Sequence, residues 1–250
     1  MASIISKSIR ILKAEGLKIF LKRCAGFGKW LFKRSYTYIF FLDFKNKIKY
    51  GTDAPLYAER FWINPAEIDI ALVDLDGKYS SGQVVNVWPP NGLKQIPITS
   101  IKKIKYCIDH FVNGMAWENT GIYEHMMTLI AEREIVDDCM NRNDVVNRYN
   151  QIDAMFNQIK MEGKIRPRKE INPKNFREDG GVYIHLGPNG ELFFGGSGIH
   201  RFCIARILEL PVIPAQIGCV HQSAIPYLSK LRQRDYTEHH DEENGGEKEC

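Results

Sequence analysis

The residues best suited to bind a charged ligand lie in one short stretch, GGSGIHR at residues 195–201, between a strand-like and a helix-like apolar run. A glycine-rich turn lets the backbone approach a ligand closely, and the first amides of the following helix bind anions, above all phosphate. Arg201 would add a planar guanidinium, and His200 a hydrogen bond or a proton near neutral pH. We therefore predict a binding site for a nucleotide or another phosphorylated small molecule at Gly196, Ser197, Gly198, His200 and Arg201.

His200 has a second interpretation. It shares a helical stripe with the apolar residues Cys203, Ile204, Ile207 and Leu208, so it could instead be a hydrogen-bonded core residue at the start of that stripe. Short glycine motifs also match by accident often. The residue types alone leave both interpretations open.

The elements that must position this stretch follow from the apolar periodicity. A hairpin is indicated by GVYIHL and ELFFGG, which alternate apolar residues around the turn GPNG. A helix at 199–209 and a strand at 212–220 follow the motif. Upstream, apolar runs predict a strand within 61–76 and a strand or loop at 82–92. Helical spacing predicts helices at 101–112, after a cap at Thr120, and at 143–162.

Composition limits the class of protein. The chain has 250 residues, 44% of them hydrophobic, which is normal for a folded protein. Its six cysteines form no C-x-x-C pair, so we expect reduced thiols and no zinc site. The apolar run IFFL at 39–42 is far shorter than a membrane-spanning helix requires. We expect a cytoplasmic protein that neither is secreted nor spans a membrane.

The two ends of the chain differ in charge. Residues 1–34 carry nine lysines and arginines against one glutamate, together with Phe20, Trp30 and Phe32. Such a segment can attach peripherally to an anionic membrane, here the inner membrane surface, or pack as a helix with a solvated basic face. We divide the chain into this basic amphipathic segment at 1–50, a domain at 51–232 and a disordered acidic tail at 233–250.

The order of segments resembles the ParB/sulfiredoxin-like superfamily. The resemblance rests on IDAMFNQIKMEGKI at 152–165, then VYIHL, then LFFGGSGIHRFCIARILELPVIPAQI. It implies an α+β fold, with a small mixed sheet, packed helices and a helical insertion at about 100–150. It also implies a loop that binds nucleotide phosphates, in a branch whose function is unassigned.

The chain differs from known branches of this superfamily at residues that determine their activity, and these differences exclude some reactions. Sulfiredoxins carry a catalytic cysteine immediately before the His-Arg pair, where this chain has Ile199, so sulfinic acid reduction has no nucleophile. The chain ends too soon after Val220 for the DNA-binding domain of partitioning ParB proteins, so we do not expect sequence-specific DNA as a partner. ADP-dependent free serine kinases carry Asp-Gly-x-His-Arg in the loop, and here Ser197 replaces the aspartate.

The expected function is therefore binding of a nucleotide or phosphorylated small molecule, such as ATP, ADP or CTP with Mg²⁺. Phosphoryl transfer or nucleotide hydrolysis would be the enzymatic form of this function. His200 and Glu118 are the candidate catalytic residues, and His221 is a candidate for the same pocket. Glu118 has an alternative interpretation as an ordinary exposed carboxylate, and His221 as a strand-end histidine. The alternative function is nucleic-acid binding without catalysis, through KIRPRK at 164–169 and the basic N-terminus.

Overall fold

The computed structural model describes residues 36–74 and 80–233, which form eight α-helices, three short 3-10 turns and a seven-stranded sheet. Residues 1–35 of the predicted N-terminal segment 1–50, and almost all of the acidic tail, lie outside the described residues. The helices are α1 (Tyr36–Tyr50), α2 (Lys102–Phe111), α3 (Trp117–Thr120), α4 (Ile122–Arg133), α5 (Arg142–Glu162), α6 (Arg168–Ile171), α7 (Ile199–Ile207) and α8 (Ile225–Gln233). The strands are β1 (Arg60–Ile63), β2 (Ile70–Asp74), β3 (Val84–Val85), β4 (Leu93–Pro97), β5 (Val182–Leu186), β6 (Leu192–Phe194) and β7 (Ile213–His221).

The strands form one mixed, open sheet in the order β1-β7-β5-β6-β2-β4, and β3 pairs with the far end of β7. Pairing is antiparallel for β1 with β7, β5 with β6 and β2 with β4, and parallel for β5 with β7 and β2 with β6. Residues 213–220 of β7 are all buried, so both faces of this strand are covered. The fold is α+β with a mixed sheet and packed helices, as expected.

Several predicted elements are confirmed. Helix α5 begins after Asn141, whose side chain accepts the amide of Asp144 at 3.0 Å, and ends at Gly163 with φ of 65°. The predicted hairpin is β5 and β6, and the predicted helix and strand after the motif are α7 and β7. The predicted cap at Thr120 is displaced by one residue: Gly121, with a φ of 85°, precedes α4, and the hydroxyl of Thr120 accepts the amide of Ile122 at 3.2 Å.

Other expectations need correction. The apolar spacing of 101–112 places Ile108 and Val112 on the same face as Ile104, but both are exposed. Helix α2 instead packs on α7 through Ile104 and Cys107, which shifts its buried stripe away from Ile108. Strand β4 was not predicted, because three of its five residues are exposed and it has no clean alternation. Helix α1 was not predicted either, since aromatic residues occur around most of its circumference.

The core connects the sheet to the helices around the predicted binding stretch. Phe194 at the end of β6 stacks on Phe202 of α7 with ring centroids 4.4 Å apart, and neither ring is exposed. The four cysteines of the described residues, Cys107, Cys139, Cys203 and Cys219, are buried and form no disulfide with one another. Within residues 36–74 and 80–233, no helix has the length and apolar character needed to span a bilayer. Because α7 buries most of its surface, its first turn is held firmly against the sheet.

Candidate functional site

The glycine-rich stretch forms the connection from β6 to α7, and backbone hydrogen bonds fix it to β5. The amide of Gly195 donates to the carbonyl oxygen of Tyr183 at 2.7 Å. The amide of Tyr183 donates in turn to the carbonyl oxygen of Ser197 at 3.1 Å. Gly198 has a φ of 72°, and a Cβ there would lie 2.9 Å from the carbonyl oxygen of Gly181. Only glycine fits this position without displacing the backbone of β5.

Helix α7 starts at this connection with its first turn open. Gly198 precedes the helix, and its carbonyl oxygen accepts the amide of Phe202 at 3.0 Å. In the part of the chain that the structure describes, no side chain caps this N-terminus. The first amides of a helix have no carbonyl partner within it, and they carry the positive end of its dipole. The start of α7 therefore presents donors suited to an anion.

A pocket of about 360 Å³ lies at this helix start. It is surrounded by α2, the turn before α5, α5 itself, the two glycine-containing connections at 180 and 196–198, and the start of α7. Its lining residues are Lys103, Asp137, Arg148, Met155, Gly180 and residues 196–201. The pocket thus contains three cationic side chains and one carboxylate.

The carboxylate is held by two of the cations. Asp137 lies in a tight turn between Val136 and Cys139, and forms an ion pair with Lys103 of α2. The Nη1 of Arg148 donates to the carbonyl oxygen of Asp137 at 3.1 Å, and its Nη2 lies 3.8 Å from the Oδ2. Burial alone would raise the pKa of Asp137, but the charges of Lys103 and Arg148 lower it below the ordinary value. Asp137 is therefore ionised at neutral pH.

Arg201 extends from the first turn of α7 towards the loop before β5. Its Nη2 donates to the carbonyl oxygen of Gly180. Burial, and then the nearby charge of Arg168, lower the pKa of Arg201 to about 10, an effect that the buried carboxylate of Glu178 opposes. The guanidinium stays charged at neutral pH, and its lowered pKa indicates that its charge is only partly compensated. An anion in the pocket would complete the compensation.

His200 is buried and incompletely satisfied. Its ring lies edge-on to that of Tyr149 at 5.7 Å, and 6% of the residue is exposed. Its Nε2 is buried with no hydrogen-bond partner among the described residues. Burial, and then the charges of Lys103 and Arg148, lower the pKa of His200 to about 4. His200 is thus a buried, neutral residue that also lines the pocket, and its Nε2 lacks the hydrogen bond expected of a core histidine among the described residues.

Two further donors lie near the pocket. The Nε atoms of Arg148 and Arg168 are buried, and neither has a hydrogen-bond partner within the described residues. Buried polar groups in folded proteins are rarely left without a partner, so such groups call for a ligand, an ion or water. With the His200 Nε2, three unpaired ring or guanidinium nitrogens cluster in this region.

The residues do not fit a protein-held Mg²⁺ ion. Magnesium prefers oxygen ligands, and Asp137 is the one carboxylate among the lining residues. Its charge is already shared between Lys103 and Arg148. Across residues 36–74 and 80–233, no group of three or more histidines, cysteines or carboxylates has metal-binding geometry. Any Mg²⁺ here would have to arrive on the phosphates of the ligand.

The structure brings five of the seven predicted site residues together and separates two. Gly196, Ser197, Gly198, His200 and Arg201 all line the pocket. Glu118 lies on α3, where the neighbouring Trp117 is buried and Glu118 is exposed, outside the pocket lining. His221 ends β7, where its Nδ1 lies 2.8 Å from the hydroxyl of Ser223 and its ring packs edge-on against Trp88.

Sequence reasoning missed the charged residues that complete the pocket. Lys103, Asp137 and Arg148 come from α2, a turn and α5, and no short-range spacing connects them to residues 195–201. Of the three, Lys103 alone could have been placed from the sequence. It adjoins Ile104, a predicted core residue of α2, and therefore lies at the edge of the buried face. The ion pair with Asp137 had no signal in the sequence.

Comparison of the chain with protein-family models, with curated proteins and with solved structures gives no match in any of the three. The resemblance to the ParB/sulfiredoxin-like superfamily therefore stays a prediction from the order of motifs.

Proposed function

We propose that this protein binds a phosphorylated small molecule, with a nucleotide as the preferred class, in the pocket at the start of α7. The observation that carries the proposal is the uncapped N-terminus of α7, which faces a pocket lined by Lys103, Arg148 and Arg201. These cations come from three different helices. They converge on the end of a helix dipole that itself favours negative charge.

The charge balance supports a polyanionic ligand. Three cations and one carboxylate line the pocket, and the positive end of α7 adds to the excess. A phosphate dianion would offset that excess. Arginine binds phosphate through parallel hydrogen bonds, and the Nε atoms of Arg148 and Arg168 have no hydrogen-bond partner within the described residues. The pocket volume of about 360 Å³ lies within the range of small-molecule sites, which begins at roughly 300 Å³.

His200 gives the site a proton-linked component. As a neutral imidazole at pH 7, it can donate one hydrogen bond to a phosphate oxygen from the nitrogen that carries its proton. A phosphate beside the ring would favour the imidazolium and raise the pKa of His200. Ligand binding should then be accompanied by partial proton uptake in mildly acidic solution.

The same charges would assist phosphoryl transfer or hydrolysis, because that chemistry depends mainly on positioning and charge stabilisation. Asp137 is the carboxylate within the pocket that could orient a nucleophile, but it is held by Lys103. The geometry thus supports binding more directly than catalysis. Binding is the function we put forward, and phosphate release from a bound nucleotide is its enzymatic extension.

The experiment that tests this is isothermal titration calorimetry with ATP, ADP, CTP and GTP, each with and without Mg²⁺. Lys103→Ala should weaken binding about tenfold, because it removes one cation from the pocket. Lys102→Ala is a matched control, since it makes the same charge change at the adjacent, exposed position of α2. Absence of binding to every nucleotide, or equal losses in both variants, would overturn the proposal.

The nucleic-acid alternative has less support. Within KIRPRK, Arg166 is held by the carboxylate of Glu162 through two hydrogen bonds of 2.7 and 2.8 Å. Ile165 is buried, and the backbone amide of Arg168 is bound by Glu178. Part of the positive charge of this stretch is therefore already compensated by Glu162.

A further inference from the structure

Helix α1 is anchored to the domain by one face only. The carboxylate of Asp43 accepts the amide of Tyr57 at 2.7 Å and forms an ion pair with Arg177 at 2.8 Å. The side-chain amide of Asn46 donates to the carbonyl oxygens of Pro55 and Gly82, both at 2.8 Å. Ile39 is buried on the same face. These contacts fix the rotation of the helix about its axis.

The opposite face of α1 is apolar, and none of the residues that the structure describes covers it. At 3.6 residues per turn, four exposed apolar residues of α1 fall within about 100° of arc, on the side away from the buried Ile39, Asp43 and Asn46. We call this set the aromatic stripe; its members and exposed fractions are Phe40 at 73%, Phe41 at 63%, Phe44 at 53% and Ile48 at 70%. Phe40 and Phe44 stack on each other with ring centroids 6.3 Å apart. Contiguous exposed apolar residues of this kind mark an interaction surface.

Cations flank the aromatic stripe on both sides. On the helical projection, Lys47 lies beside Phe40, and Lys45 and Lys49 lie on the other side beyond Phe41. All three lysines are exposed. The one acidic residue of the helix, Asp43, is buried and paired with Arg177. The exposed surface of α1 therefore has a purely positive charge around an apolar centre.

A hollow borders the lysine side of the helix. It has a volume of about 290 Å³, and Lys45 and Lys49 line it together with Ser80 and Gln83. It thus combines two ammonium groups with polar side chains directly beside the aromatic stripe.

We propose that α1 is an interfacial helix that inserts the aromatic stripe into an anionic lipid membrane, with its lysines at the level of the headgroups. Aromatic residues with flanking lysines are the composition of helices that lie in the plane of a membrane interface. Each lysine near an anionic surface adds to the attraction. This site is separate from the pocket at α7 and does not depend on what that pocket binds.

Charge favours the membrane over protein occupants of the stripe. Residues 1–34 precede α1 with nine cations and one acid, so their packing on this helix would bring like charges together. A second copy of α1 would bring its own three lysines against the first. An anionic membrane instead attracts the helix and the preceding segment at once.

The test is co-sedimentation of the full chain with vesicles of phosphatidylglycerol or of phosphatidylcholine at low salt. The native protein should pellet with phosphatidylglycerol and stay in solution with phosphatidylcholine. The double substitution Phe40→Ser with Phe44→Ser should lower the bound fraction at least tenfold. The double substitution Met140→Ser with Met161→Ser is the matched control, because both methionines are exposed and distant in sequence from α1. The control should bind as the native protein does.

Two further measurements separate the other occupants. If the native protein is a dimer by light scattering without lipid and Phe40→Ser with Phe44→Ser makes it a monomer, the stripe covers a second copy. If that variant binds vesicles normally but unfolds at a lower temperature, the stripe covers part of the same chain. Either result overturns the proposal, as does equal binding to both lipids.

Discussion

Lys103 and Asp137 form an ion pair at the pocket, although 34 residues separate them in sequence. Arg148 approaches the same carboxylate at 3.8 Å. The pair joins α2 to the turn before α5. Asp137 thus holds two of the pocket's three cations, Lys103 and Arg148. It also places one negative charge where we propose that an anion binds. Asp137 therefore weakens the attraction that the cations create.

Asp137→Asn should increase the affinity for a phosphorylated ligand. It removes a negative charge within a few ångströms of the proposed phosphate position, so an increase of about three- to tenfold is expected at low salt. Asp137 has a φ of 50°, a conformation that asparagine also tolerates, so the turn should persist. Calorimetry against ATP measures the change. Asp138→Asn is the matched control, because Asp138 is the next residue, does not line the pocket and has a similar φ of 65°. A weaker affinity in Asp137→Asn would mean that the ion pair positions Lys103 for binding.

His200 should make folding stability depend on pH. Its folded pKa of about 4 lies below the ordinary value of 6.5, so the unfolded chain binds more protons between these values. Stability is then fully present above pH 6.5 and falls as the pH is lowered towards 4, by about 3 kcal/mol from this residue. Asp137 acts in the same direction at lower pH, since its pKa is also lowered.

Urea unfolding between pH 4 and 7 measures this effect. His200→Phe keeps an aromatic ring against Tyr149 and removes the titrating group, so its stability should vary less with pH over this interval. The same pH dependence in the native protein and the variant would show that His200 does not contribute.

Gly198→Ala should destabilise the fold more than Gly196→Ala. Both glycines have a positive φ, so each substitution strains the backbone by roughly 1–2 kcal/mol. A Cβ at Gly196 meets nothing within 4 Å, whereas at Gly198 it would lie 2.9 Å from backbone atoms of Gly181 and Val182. Thermal unfolding of the two variants compares them directly. Equal losses of stability would show that the start of α7 can move away from β5.

The sequence predicted the local elements of this site better than its assembly. Residues 195–201, the hairpin and α5 have strong local signals: glycines at turns, a capping asparagine and regular apolar spacing. The convergence of Lys103 and Arg148 depends on how α2 and α5 pack, which is decided by tertiary contacts such as Ile104 against α7. Glu118 was predicted from sequence alone as a site residue, but the burial of Trp117 leaves it at the surface.

Arg201 should contribute to affinity, and Arg206 of the same helix to stability. Arg206 donates hydrogen bonds to the carbonyl oxygens of Pro65 and Ile68 and pairs with Asp69, so Arg206→Ala should lower the unfolding temperature. Arg201 lines the pocket and bonds the carbonyl oxygen of Gly180, so Arg201→Ala should weaken nucleotide binding by about thirtyfold, roughly the value of one charge-assisted hydrogen-bonded contact. Arg201→Lys keeps the charge but loses the planar fork of donors. Its affinity for nucleotide should fall between those of the native protein and Arg201→Ala. Calorimetry and thermal unfolding on all three variants separate the effects. If Arg206→Ala weakens binding as much as Arg201→Ala does, the loss reflects the stability of α7 rather than contact with phosphate.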